Sequence, residues 1–108
     1  MTVQLKALVA GTVLTNAAVT YYTAPSGVAA RINNATVTNF DTVVRTVTVS
    51  IGANATATQV ILVKALQPNE TYNCPELVGK TVPSGVVIQA LASANTAVNL
   101  SISGIEQS

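Results

Sequence analysis

The chain has 108 residues, 49% of them hydrophobic and 8% charged, with a net charge of +1. That length makes one domain, residues 1–108, large enough to bury a core without staples. The single cysteine, Cys74, excludes an intrachain disulfide and reads as a small buried hydrophobe. An ordinary soluble domain carries about 25% charged residues, and a disordered chain carries more charge and fewer aliphatics. The expectation is therefore a folded protein with a neutral surface of Thr, Ser, Asn, Gln and Ala. Such a surface has little charge repulsion to keep copies apart.

The basic residues Lys6, Arg31, Arg45, Lys64 and Lys80 are scattered singly, which predicts no nucleic-acid partner. The apolar run Val60-Ile61-Leu62-Val63 stops at Lys64, far short of the roughly 18 residues of a membrane helix, so no membrane is expected. Met1-Thr2-Val3-Gln4-Leu5-Lys6 lacks the basic-then-apolar layout of a signal peptide, and synthesis in a cytoplasm without export is expected.

In chain order, Val3, Leu5, Ala7 and Val9 alternate with Thr2, Gln4, Lys6 and Leu8. This predicts a half-buried strand, with residues 1–9 either the first strand or an N-terminal arm. Gly11 interrupts the run, and Thr12-Val13-Leu14-Thr15 continues it. Residues 18–23 make the next strand. Its adjacent Tyr21 and Tyr22 point to opposite faces, one to the core and the other to the surface. The phrase Thr23-Ala24-Pro25-Ser26-Gly27-Val28 then recurs as Thr81-Val82-Pro83-Ser84-Gly85-Val86. Pro25 and Pro83 are expected at the first central position of a type I turn, with Gly27 and Gly85 ending it at positive φ. Both phrases read as strand-to-strand corners.

Along residues 28–39, Val28, Ala30 and Ile32 share one parity, while Ala35 and Val37 share the other. A strand changes faces only through an extra residue, so a bulge is predicted at Asn33-Asn34. Asn39-Phe40-Asp41-Thr42 is a turn. Residues 43–51 alternate strongly, with Val43, Arg45, Val47, Val49 and Ile51 on one face. Arg45 is expected either to snorkel at the sheet rim or to pair with Asp41. Gly52-Ala53-Asn54-Ala55 is a loop, residues 58–66 a strand, and Gln67-Pro68-Asn69-Glu70 a turn. Pro75 limits residues 72–78 to a short or edge piece. Residues 86–93 and 97–105 are the last strands, the latter with clean alternation. About eight or nine short strands with no helix of normal length give an all-β fold, a sandwich, jelly roll or barrel.

The chain contains no histidine, which removes the commonest general base and the usual triads and zinc sites. The acids Asp41, Glu70, Glu76 and Glu106 form no spaced calcium loop, and Glu70 and Glu76 lack the aromatic groove of a glycosidase. There is no glycine-rich phosphate loop. The reading is a non-enzyme without cofactor or metal.

The stretch Tyr22-Thr23-Ala24-Pro25-Ser26-Gly27-Val28-Ala29-Ala30-Arg31-Ile32, then Asn39 and Arg45-Thr46-Val47-Thr48-Val49, resembles small virion proteins of tailed bacteriophages. Val82-Pro83-Ser84-Gly85-Val86 and Leu100-Ser101-Ile102-Ser103-Gly104-Ile105-Glu106 fit the same pattern. The resemblance implies a jelly-roll-like antiparallel β-sandwich. It also implies a capsid decoration (cement) protein that stabilises the assembled head by bridging major capsid subunits. Neck, tail or fibre-associated roles, or a carbohydrate-binding module, are the alternatives. A homo-oligomer, dimer or trimer, on the virion surface is expected. The candidate contacts are Thr2, Val3, Gln4 and Leu5, with Tyr21 or Tyr22.

Overall fold

In the computed structural model, residues 3–52 and 59–108 are described. Thr2, the predicted loop residues 53–55 and the start of the predicted strand at Thr58 lie outside them. The described residues form nine strands: β1 (Val3–Val13), β2 (Val19–Thr23), β3 (Ala29–Asn39), β4 (Arg45–Ile51), β5 (Val60–Leu66), β6 (Thr71–Asn73), β7 (Thr81–Val82), β8 (Val87–Ala92) and β9 (Val98–Gln107). All pairings are antiparallel. One sheet has the order β1-β9-β3-β6, with β7 also on β3; the other has the order β2-β8-β4-β5.

That order is a jelly roll. The chain behaves as one long hairpin whose outgoing half, β1 to β4, pairs with its returning half, β9, β8, β7 with β6, and β5. The hairpin is then wrapped so that successive pairs fall alternately in the two sheets. The inward faces supply Leu14, Ile32, Val37, Val47, Val49, Leu62, Leu66, Leu77, Val82, Ile88, Leu100 and Ile102, all fully buried. β9 shows why: Val98, Leu100, Ile102, Gly104 and Glu106 point in, and their alternates are half-buried or exposed.

The repeated phrase makes the crossing between sheets. β2 passes to β3 through Pro25-Ser26-Gly27, and β7 passes to β8 through Pro83-Ser84-Gly85, in the opposite direction. Each turn begins on its proline rather than placing the proline at its first central position: the Val28 amide donates to the Pro25 carbonyl at 3.0 Å, and Val86 to Pro83 at 3.0 Å. Gly27 and Gly85 are the third residues, at φ +75° and +79°. Positive φ at that place belongs to a type II turn, which favours glycine there. The two corners also lie against each other. Ala24 donates to Val86 at 3.0 Å and Gly85 to Ala24 at 2.9 Å. The Ser84 hydroxyl accepts from the Gly27 amide at 3.0 Å and donates to the Pro25 carbonyl at 3.1 Å. The ribbon thus bends between sheets without losing its pairing.

Three irregularities set which side chains face in. The pairing of β3 with β9 shifts between Ile32 and Asn34, the predicted bulge, and carries the core face from Ala30 and Ile32 to Ala35 and Val37. β1 shifts register twice, between Ala7 and Val9 and between Val9 and Thr12, the second beside Gly11 at φ +30°. The first shift corrects the expectation for the opening strand. Val9 sits opposite Ile102 in the core, and the extra residue before it reverses the parity, so Val3, Leu5 and Ala7 face outward. Gln4 and Lys6 share the other parity with Glu106, which is buried. Val43, expected on a core face, is exposed, because β4 begins only at Arg45.

Candidate interaction surface

The four side-chain carboxylates, with Lys6, Arg45 and Lys64, are engaged in contacts within the fold. Glu106 lies buried at one end of the sandwich, where the Tyr22 hydroxyl of the opposite sheet donates to its Oε2 at 2.5 Å and Lys6 Nζ approaches to 3.4 Å. The bond to Tyr22 and the Lys6 ammonium hold the Glu106 carboxyl below the usual carboxylate range. Burial, and then the same bond to Glu106, push the Tyr22 hydroxyl well above its ordinary value. Tyr22 is therefore the core tyrosine of the pair, and Tyr21 the partly exposed one.

A carboxyl with a lowered folded pKa stabilises above its unfolded value of about 4.3 and stops doing so as pH falls through the folded one. A phenol with a raised pKa stabilises below about 10 and loses that contribution as pH rises past it. The melting-temperature deficit of Tyr22→Phe is accordingly expected to be largest near neutrality. It should narrow below about pH 3 and above about pH 10. A deficit that stays constant from acid to neutral pH would show that the carboxylate is not coupled to this phenol.

Glu70 Oε1 accepts from the Gln67 amide at 2.7 Å and closes a turn. Both oxygens of Glu76 accept from Tyr72, at 3.0 and 3.1 Å, and the Lys64 ammonium lies 5.0 Å from the centre of the Tyr72 ring. The pair of acids that a glycosidase would need is thus tied to separate local partners. Cys74 is buried, and burial pushes its thiol up to about 11, so it behaves as packing rather than as a nucleophile. Among the described residues no group of three or more His, Cys, Asp or Glu is placed to hold a metal ion.

Of the nine large apolar side chains exposed among the described residues, five fall in two displays, and the other four are Val13, Val19, Val63 and Val78. The first is the outward face of β1, with Leu5 at 83% and Val3 at 57% exposure. In the same rows of the sheet, Leu5 neighbours Ile105, and Val3 neighbours Gln107 and then Ala29. Gln4 is exposed on the other parity. The second display is the connection between β3 and β4, where Phe40, Val43 and Val44 are 45–47% exposed.

Sequence reading anticipated the Asp41–Arg45 pair as one of two alternatives but missed the second display and the buried Asn39 beneath it. Asn39 is fully buried. Its Nδ2 donates to the carbonyls of Val43 at 2.9 Å, Leu66 at 3.0 Å and Gln67 at 3.2 Å, and its Oδ1 accepts from the Asp41 amide at 2.9 Å. Asp41 in turn binds Arg45 Nη2 at 2.8 Å and Nε at 2.9 Å, a pair that is part-buried at the rim. The Thr42 amide and the Arg45 guanidinium hold the Asp41 carboxyl below its ordinary value. A fixed loop spends little entropy when it docks. The signal in the sequence was one phenylalanine between Asn and Asp, a composition that reads as a turn and nothing more.

The two displays lie at opposite ends of β3, whose first residue, Ala29, neighbours the Val3 row and whose last, Asn39, precedes Phe40. Ten residue steps of strand separate them, about 33 Å. No family model matches the chain, and no curated protein matches it.

Proposed function

We propose that this chain is a structural virion protein that decorates the assembled head of a tailed phage and bridges neighbouring major capsid subunits. The observation that carries the reading is the pair of apolar displays, at the β1 face and at the Phe40 loop, held about 33 Å apart by a continuous strand. A bridge needs two separated contacts on a stiff body, and the jelly roll supplies that body. A protein that binds the lattice and not the free subunit stabilises the lattice by mass action. Two attachments also raise avidity beyond either alone. Contacts of this kind depend on shape and apolar burial, which suits a chain with 8% charged residues.

Heads lacking the protein should assemble and break at lower temperature, and adding the purified protein back should restore their resistance. Leu5→Ser removes a side chain that is 83% exposed and should change the unfolding free energy by no more than about 0.5 kcal/mol, whereas Phe40 is 45% exposed and Phe40→Ser should cost about 1–2 kcal/mol. Each should nonetheless weaken binding to such heads about tenfold or more and abolish the added thermal resistance. Localisation at the neck or tail fibre by imaging would redirect the reading to those structures, and absence from virions would reject it.

A further inference from the structure

We infer that the outer face of the five-stranded sheet receives an apolar protein surface bearing carboxylates, on a chain other than this one. The inference rests on the proposed function, in that the protein works by docking. Pairing registers set Leu5, Ile105, Arg31 and Thr81 in one row across β1, β9, β3 and β7. The row is apolar at the β1 end and cationic at the β3 end. A shallow depression lies between Ala29, Arg31, Thr81, Ile105 and Gln107. Arg31 is exposed on this face, since its neighbours Ala30 and Ile32 are buried inward, and Lys80 is exposed one residue before Thr81.

Charge complementarity identifies the occupant. Lys6 pairs with Glu106 and Arg45 with Asp41, and Lys64 lies over Tyr72. Among the described residues, Arg31 and Lys80 are the cations with none of these partners. The four side-chain carboxylates of the chain are each engaged elsewhere: Asp41 with Arg45, Glu70 with the Gln67 amide, Glu76 with Tyr72, and Glu106 with Tyr22 and Lys6. A two-fold contact centred on the row would lay the Arg31 end of one copy over the Leu5 end of the other. Neither guanidinium would then meet a carboxylate, so a second copy leaves the cationic half of the row unsatisfied. A foreign surface with a carboxylate for the Arg31 fork and aliphatic side chains for Leu5 and Ile105 satisfies both halves of the row.

The test compares single variants of the full chain that carry equal changes in charge. The first probe is a mixed-mode resin bearing alkyl chains and carboxylates. The wild type and Lys64→Glu should stay bound at a salt concentration that releases Arg31→Glu, Lys80→Glu and Leu5→Ser. Equal release of Lys64→Glu and Arg31→Glu, or no release of either, would overturn the inference. The second probe is phage heads lacking the protein, where Arg31→Glu should bind about tenfold more weakly than wild type or worse. Equal binding of the two would overturn the inference while leaving the virion reading intact. Wild type that fails on heads but shows the expected resin pattern would reject the virion reading alone. Sedimentation showing a dimer that Leu5→Ser dissolves would assign the face to a second copy and overturn the inference.

Discussion

Replacing Asn39 with alanine is expected to cost about 3–5 kcal/mol, because three hydrogen bonds to buried or part-buried carbonyls disappear together and a cavity remains. Val43 lies in the connection before β4, Leu66 is the last residue of β5 and Gln67 follows it, so a single amide ties the β3–β4 connection to the end of β5. Aspartate at this position has nearly the same shape and no donors. It would turn three attractions into repulsions, and Asn39→Asp should be no more stable than Asn39→Ala. Chemical denaturation gives the free energies. A loss below about 1 kcal/mol for both variants would mean that the carbonyls find other donors. The same variants should weaken binding through the Phe40 loop even under conditions where the domain remains folded, because the loop is fixed by this amide.

Gly104→Ala is expected to be the most damaging single methyl addition. Gly104 is buried on the inward parity of β9, and its backbone conformation is one that any residue adopts. The obstacle is the neighbouring strand: a Cβ there would fall within the van der Waals envelope of the Arg31 carbonyl oxygen, and near the backbone of Ile32. That oxygen lies just before the β3 bulge, so the two strands would have to separate where their register shifts. Overpacking against a flexible side chain typically costs about 1–3 kcal/mol, and against backbone the upper end or more applies. The expected result is a loss of about 3 kcal/mol or more, measured by denaturant midpoint at unchanged slope. Gly27→Ala meets no nearby atom and adds only backbone strain at positive φ, about 1 kcal/mol, which makes it the matched control.

Most of the strand pattern was legible because apolar alternation and turn chemistry agree along the chain. The face change at Asn33 was visible as a parity break between Ile32 and Ala35, since polar residues flank the switch. The equivalent change in β1 was hidden. Ala7, Leu8 and Val9 are all apolar, so an extra residue among them leaves no polar mark, and the outward face of Val3 and Leu5 cannot be told from an inward one. The corner phrase was legible as a corner, but its two copies meet only through the wrapping of the ribbon, which no local window contains. Asn39 reads as a turn former from sequence. Its burial depends on three carbonyls supplied by residues 4, 27 and 28 positions away.

The placement of β9 has a consequence for how the molecule comes into being. β9 is the last strand in the chain and lies between β1 and β3, while β8, just before it, lies between β2 and β4. During synthesis, the strands of the first half therefore wait for central neighbours that emerge last. Pairings that span so much of the chain close slowly, on the scale of milliseconds to seconds. Until then, the ribosome-bound intermediate presents open strand edges to other chains. A nascent chain stalled before residue 87 would hold neither sheet in its final order, and one stalled before residue 98 would still lack the strand that joins β1 to β3. The C-terminal pair of strands thus completes the interior of both sheets rather than adding to their edges.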